Sequence, residues 1–192
     1  CPPGADGYVI PYYDIMGRPI PFYRARLFNW DPKYKQLSNE SNHIYFPKGF
    51  WELAAESDYI LFTEGEKKAA CAVRRGIACV AAGGVDSWSN RTLALPKDVK
   101  LTKAADGRVI AKLEPGEEAS ADKDEFATGM TELIDLLVRR DIPLVIVYDS
   151  DGSGKVASKV QEAAARLGYA LRFHGVKAKN IRQFIILPPK GF

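Results

Sequence analysis

Residues 143 to 149 read Pro-Leu-Val-Ile-Val-Tyr-Asp, an apolar run with no alternation before its final carboxylate. A strand with one wet face alternates polar and apolar residues, whereas a run like this belongs to a strand covered on both faces, as in parallel sheets flanked by helices. A second run, Tyr59-Ile60-Leu61-Phe62-Thr63, is followed by a helical pattern from Glu66 to Arg75 and then by Ile77-Ala78-Cys79-Val80-Ala81. Alternating strand and helix predict βαβ units, hence an α/β fold on an open, mainly parallel sheet flanked by helices. Phe126, Met130, Leu133, Ile134, Leu137 and Val138 predict a helix before the Pro143 strand. Val156, Val160, Ala163, Ala164 and Leu167 predict another after it, with Gly168 placed to stop it, and "YALRF" and "IRQFIIL" then read as two more strands.

The start of the chain has a different texture. Residues 7 to 28 carry aromatic and branched residues on either side of Asp14-Ile15-Met16-Gly17, a hairpin signal. Pro11, Pro19 and Pro21 cannot donate to a ladder, which predicts edge strands. The expected organisation is a small, basic, β-rich subdomain over 1–50 and an α/β domain over 51–192. Near 91–125 a polar stretch, with a hairpin at Asp106-Gly107 and an acidic segment after it, is expected to be a mobile insertion whose charges are solvated.

No apolar run approaches the ~20 residues of a membrane span, so no membrane partner is expected. Three cysteines, Cys1, Cys71 and Cys79, form no CxxC pair, which fits a reducing cytoplasm better than a disulfide framework. Cys1-Pro2-Pro3-Gly4 lacks the features of a secretion signal, and the chain reads as a piece of something longer. A net charge of +3 does not by itself imply nucleic acid.

The chemistry gathers at strand ends. Glu64 follows the first buried strand, and Asp149 and Asp151 follow "LVIVY". Ligands of open parallel sheets bind outside the carboxyl ends of the strands, so these three carboxylates can converge. Alternate residues of an extended segment face one way, and clustered carboxylates favour a hard cation; Mg²⁺ (or Mn²⁺) is the natural guest. Gly65 allows a close backbone approach, Gly152 and Gly154 a tight turn opening a helix, and Lys67, Lys68 and Lys155 offer charge to phosphate oxygens. "GSGK" is not a P-loop, since that motif needs glycine where Asp149 stands and a hydroxyl where Val156 stands. His43 and His174 have no ligand-spaced partners, and Cys71 and Trp88 read as packing residues.

"TEGEKKA", followed about eighty residues later by "YDSDGSGKVAS", resembles the TOPRIM domain shared by topoisomerases and bacterial-type primases. Glu64-Gly65 and Asp149-x-Asp151-x-x-Gly154 match its EG and DxDxxG motifs, Gly83-Gly84 stand where these primases carry a glycine turn, and the likeness covers about 57–190. It implies Glu64, Asp149 and Asp151 as metal-binding and catalytic residues. "PYYDIMGRPIPFYRARL" and "YKQLSNESNHIYFP" resemble the segment before TOPRIM in primase-like replication proteins of phages, plasmids and other mobile elements. There Arg24 and Arg26 on one strand face, with Lys33, Lys35, Tyr23 and Tyr34, would hold phosphates and stack bases.

The resemblance implies Mg²⁺-dependent nucleotidyl transfer on a DNA template, primer synthesis in DNA replication, with single-stranded DNA and nucleoside triphosphates as partners and a helicase domain or subunit alongside. A TOPRIM nuclease needs the same carboxylates, and a non-catalytic single-strand-binding module is the third alternative. Where these primases usually carry an aspartate four residues after the motif glutamate, this chain has Lys68. Glu66 replacing that ligand, Lys68 binding phosphate, and a weakened or lost polymerase activity are all open at this point.

Overall fold

The protein is described from a computed structural model, which covers residues 6–36, 40–90, 100–103, 109–112, 125–149 and 155–186. The aromatic start forms β1 (Gly7–Tyr13), β2 (Pro19–Leu27) and β3 (Tyr34–Gln36), an antiparallel sheet in that order. Asp14 sets the first turn: its Oδ1 accepts the N–H groups of Met16 and Arg18 at 3.0 and 2.9 Å, and Gly17 takes a φ of 77°. Such side-chain bonds to the following backbone are why aspartate opens turns. The prolines do not all mark an edge as expected, because β2 is the middle strand. It tolerates Pro19 and Pro21 because β3 pairs only with Arg24 to Arg26, so the proline half of β2 has a neighbour on one side alone.

Next come α1 (Phe50–Glu56), β4 (Ile60–Glu64), α2 (Glu66–Arg74), β5 (Cys79–Ala82), β6 (Lys100–Lys103) and β7 (Val109–Lys112). The chain continues through α3 (Met130–Arg140), β8 (Leu144–Asp149), α4 (Lys155–Phe173) and β9 (Ile181–Ile186). The main sheet has four strands in the order β5-β4-β8-β9, every pair parallel. The α/β fold with a parallel sheet flanked by helices, and the small antiparallel sheet before it, are therefore observed. Ile60, Phe62, Leu144 and Ile146 are fully buried in the two central strands, as the unalternating apolar runs require. Tyr12 and Phe22 of the N-terminal sheet belong to the same buried cluster.

β6 and β7 pair antiparallel about the expected hairpin, whose Asp106-Gly107 turn lies outside the described residues. The acidic stretch after it also lies outside them. The two stems of this region meet: Asn90 N–H donates to Glu125 C=O at 2.6 Å and Ala127 N–H to Trp88 C=O at 3.0 Å. Trp88 itself is buried and packs against Phe126.

A second expectation is overturned. α4 does not stop at Gly168 but runs through it, and residues 169–173, read as a strand, form its last turns. Ala163, Ala164, Leu167, Ala170 and Leu171 make one buried stripe at helical spacing, and that burial outweighs the ~1 kcal/mol helix cost of one glycine. Gly168 is small for packing: a Cβ there would lie 3.1 Å from Gln183 Nε2 on β9. The helix ends at Gly175, at φ 95°, with Val176 N–H donating to Leu171 C=O and Gly175 N–H to Arg172 C=O, both at 3.0 Å. This is a Schellman cap, which needs a left-handed residue and so favours glycine.

Gly175→Ala is expected to lower unfolding stability by about 1–2 kcal/mol through its left-handed backbone, and Gly168→Ala by less, since increased helix propensity offsets crowding against a movable side-chain end. Urea midpoints of the two variants check the order.

Candidate functional site

Strand order in the main sheet reverses between β4 and β8. β4 leads through α2 to β5 on one side, and β8 leads through α4 to β9 on the other. Right-handed crossovers then put α2 and α4 on opposite faces and open a crevice at the carboxyl ends of the two central strands. Glu64 is the last residue of β4 and Asp149 the last of β8. Thr63 pairs with Val147, so Glu64 lies one residue short of Asp149 along the strands, and the backbone N–H of Asp149 brings the two together by donating to Glu64 Oε1 at 3.2 Å.

Gly65 turns the chain from strand to helix with a φ of 89° while its N–H donates to Ala82 C=O at 2.8 Å. Among the described residues no atom crowds the place where its Cβ would be, and the need for glycine is conformational. The turn brings Lys68, in the first turn of α2, back over Glu64. Lys68 Nζ donates to Glu64 Oε1 and to Asp149 Oδ2, the latter at 2.5 Å. Glu64 Oε1 also accepts the backbone N–H of Asp149 at 3.2 Å, while Glu64 Oε2 is buried with no hydrogen-bond partner among the described residues. A cation near a helix N-terminus opposes the helix dipole, so the two carboxylates are what hold Lys68 in this pose. Partial burial alone would lower its pKa, but the hydrogen bonds to Asp149 and Glu64 and their charges prevail and raise it above the ordinary lysine range.

Of the three sequence-predicted carboxylates, Glu64 and Asp149 are thus brought together, and Asp151 lies outside the described residues together with Gly154. Lys155 opens α4, but its side chain is not described. Lys67 is exposed, with its ammonium 5.4 Å from the centre of the Tyr8 ring. Among the described residues no three His, Cys, Asp or Glu side chains converge as a metal cluster. Glu66 does not join the pair. It is buried, and its Oε1 accepts Tyr12 Oη at 2.7 Å and Arg24 Nη1 at 2.5 Å.

That second cluster is one that no local sequence signal announces, because it joins residues 42 and 54 positions apart. It lies between α2 and the inner face of the N-terminal sheet, where Arg24, Arg26 and Tyr34 stand together: both guanidinium carbons lie 5.1 Å from the Tyr34 ring centre. Arg24 and Arg26 do share a face, as their spacing predicts, but it is the inward one. The Arg24 side chain is 14% exposed and its charge is committed to Glu66. Burial would lower its pKa, yet Glu66 raises it; burial, with Glu66 beside it, pushes the Tyr12 phenol up. Gly83, in the loop after β5, touches the same guanidinium, since a Cβ there would fall 2.2 Å from Arg24 Nη1. Arg26 donates to Leu27 C=O at 2.7 Å. Lys33 and Lys35 remain exposed, Lys35 with its ammonium 5.6 Å from the Trp30 ring centre.

The loop after β5 is tied to the crevice from two further sides. Tyr148 Oη donates to Val85 C=O at 3.1 Å, and Arg166 of α4 pairs with Asp86 at 2.7 Å. His43 stacks on Phe22 with ring centres 3.9 Å apart, a packing role. Among the described residues no helix is long and apolar enough to cross a membrane.

The model of a family described as "Domain of unknown function (DUF3854)" matches residues 50–190, and the chain belongs to that family. Neither a curated protein nor a solved structure matches the chain.

Arg24→Ala strands the Glu66 carboxylate in the interior and is expected to cost about 3–5 kcal/mol, the usual penalty for breaking a buried ion pair from one side. Tyr12→Phe is expected to cost about 1.5–3 kcal/mol, one hydrogen bond to a charged group, and Lys35→Ala close to nothing. Urea denaturation of the three variants measures each.

Proposed function

We propose that this chain is the catalytic domain of a primase-like replication protein and carries out Mg²⁺-dependent nucleotidyl transfer on single-stranded DNA, in the cytoplasm and beside a helicase unit. One observation supports this above the others: two carboxylates from adjacent parallel strands, Glu64 and Asp149, meet at the point where strand order reverses, with one Glu64 oxygen buried and unpartnered among the described residues. Their order and spacing in the chain, with Asp151 and the EG turn, resemble TOPRIM primases.

The donor set fits the ion. Carboxylate oxygens are the hard ligands that Mg²⁺ and Mn²⁺ prefer, so Glu64 and Asp149 would hold it, with Asp151 as the third candidate. When bound, such an ion supplies positive charge to the phosphate oxygens of a nucleoside triphosphate and to the attacking hydroxyl. The protein's own groups do the rest. The left-handed turn at Gly65 keeps side-chain bulk away from the mouth of the crevice, and Lys67, Lys68 and Lys155 offer point charges to phosphate. Outside the crevice, Tyr23, Trp30, Lys33 and Lys35 are exposed, with the Lys35 ammonium over the Trp30 ring, rings and cations of the kind that hold single strands. A second reading, a non-catalytic single-strand-binding module, is favoured by the ammonium of Lys68 standing between the two carboxylates.

The full-length protein is incubated with single-stranded DNA, Mg²⁺ or Mn²⁺ and labelled nucleotides, beside Asp149→Asn and Glu64→Gln. New strands that need the metal and fall about a hundredfold or more in each variant, as removal of several kcal/mol of charge stabilisation implies, are the expected result. Metal-dependent fragments would point to a nuclease instead, and neither product, with DNA binding unchanged by the variants, to the binding module.

Single-strand affinity is also expected to weaken in Lys33→Ala with Lys35→Ala, and the slope of log affinity against log salt to shrink by about 0.7 for each phosphate the protein no longer neutralises. Filter binding over a salt series reads both. The lysines serve better than the arginines for this test because Arg24 is committed to the fold.

A further inference from the structure

We propose that Lys68 is a tethered counter-cation that holds the place of the divalent ion in the metal-free protein, so that metal enters only as Lys68 swings out. The inference rests on the reading of Glu64 and Asp149 as metal ligands and adds a residue-level gate to it.

Three observations carry it. First, one ammonium nitrogen reaches both carboxylates, touching Oε1 of Glu64 and Oδ2 of Asp149. The oxygens it bridges are therefore no further apart than two short hydrogen bonds laid end to end; two metal–oxygen bonds of about 2.1 Å reach slightly less, so a small inward turn of the carboxylates lets a metal ion bridge the same pair. Two cations cannot occupy that one position between the oxygens, because like charges repel at such short range. Second, the opposite oxygen of Glu64, Oε2, is buried without a partner among the described residues. A single ammonium satisfies one edge of the carboxylate and does not reach the other, whereas a multivalent, multi-coordinate ion can use both. Third, the Lys68 side chain is 42% exposed and joined to α2 by a flexible four-carbon stem, so release requires no backbone change. A freed Lys68 stays beside the crevice, where phosphate oxygens are its nearest replacement anions.

The consequence is a protein with weak intrinsic metal affinity that removal of one lysine strengthens. Mn²⁺ binding to the metal-free protein is measured by calorimetry and by electron paramagnetic resonance for wild type, Lys68→Met, Lys68→Arg and Asp149→Asn. Lys68→Met keeps side-chain length without charge and is expected to bind Mn²⁺ about tenfold more tightly or better, within the usual range of coupling between sites. Lys68→Arg is expected to stay near wild type. In the absence of metal, Lys68→Met leaves two carboxylates facing each other, and its melting temperature is expected to drop and to recover with Mn²⁺.

Wild type supplies an independent readout should Lys68→Met not fold. Acetylation rates read by mass spectrometry are expected to rise several-fold at Lys68 on adding Mn²⁺ and to stay constant at Lys67. Equal Mn²⁺ affinity in wild type and Lys68→Met, or a Lys68 acetylation rate indifferent to Mn²⁺ that binds, overturns the gate and leaves the metal reading standing. No binding in either protein above the Asp149→Asn background overturns both.

Discussion

A buried ion pair between Arg24 and Glu66 ties the molecule together. Glu66 is the first residue of α2, and Arg24 comes from the middle strand of the N-terminal sheet, so their contact at 2.5 Å fixes a helix N-terminus against a separate sheet. Tyr12 from the neighbouring strand completes the shell around the carboxylate, and Gly83 lets the loop after β5 come up against the guanidinium. Charges in the interior are costly unless they are paired and hydrogen-bonded, so this cluster tolerates little displacement of any of its parts. Through it the small sheet and the larger α/β unit share one buried cluster.

The same constraint orients the candidate site. With Glu66 pulled inward, the next residues on α2 point elsewhere: Lys67 toward Tyr8, and Lys68 back across the mouth of β4. Glu64, Glu66 and Lys68 lie within five residues yet serve two different surroundings: Glu64 and Lys68 meet at the strand ends, and Glu66 joins a buried ion pair. A helix that started one residue later would rotate Glu66 and Lys68 by about 100° about its axis and take both from their partners. Gly65, at its positive φ, is what fixes that starting point.

Lys68 matters because helix electrostatics argue against it. Positive charge in the first turn of a helix is disfavoured, and here two carboxylates from different strands make the position favourable. The two negative charges that the parallel sheet gathers at its switch point are bridged, and half neutralised, by a side chain from the adjoining crossover helix.

The parallel sheet, its two central strands and the carboxylates at their ends are legible in the order of residues alone. Apolar runs such as residues 143–149 and 59–63 allow few other folds, and a carboxylate placed just after such a run must emerge at the sheet's edge. The Asp14–Gly17 turn is legible too, because its bonds are local. Everything that escaped such reading depended on partners distant in the chain. Glycine at 168 is a local stop signal, overridden because α4 buries Leu167, Ala170 and Leu171 against the sheet, and the left-handed stop falls at Gly175 instead. The alternation of β2 shows that Arg24 and Arg26 share a face but not that this face turns inward, since that depends on Glu66 waiting 42 residues away. Nor does Lys68, a surface lysine by its local pattern, reveal that two strand ends will close around it. Local propensity and periodicity are properties of a few neighbouring residues, while burial and charge pairing are settled only when remote segments meet, and those meetings decided which of the charged residues face the crevice and which hold the fold.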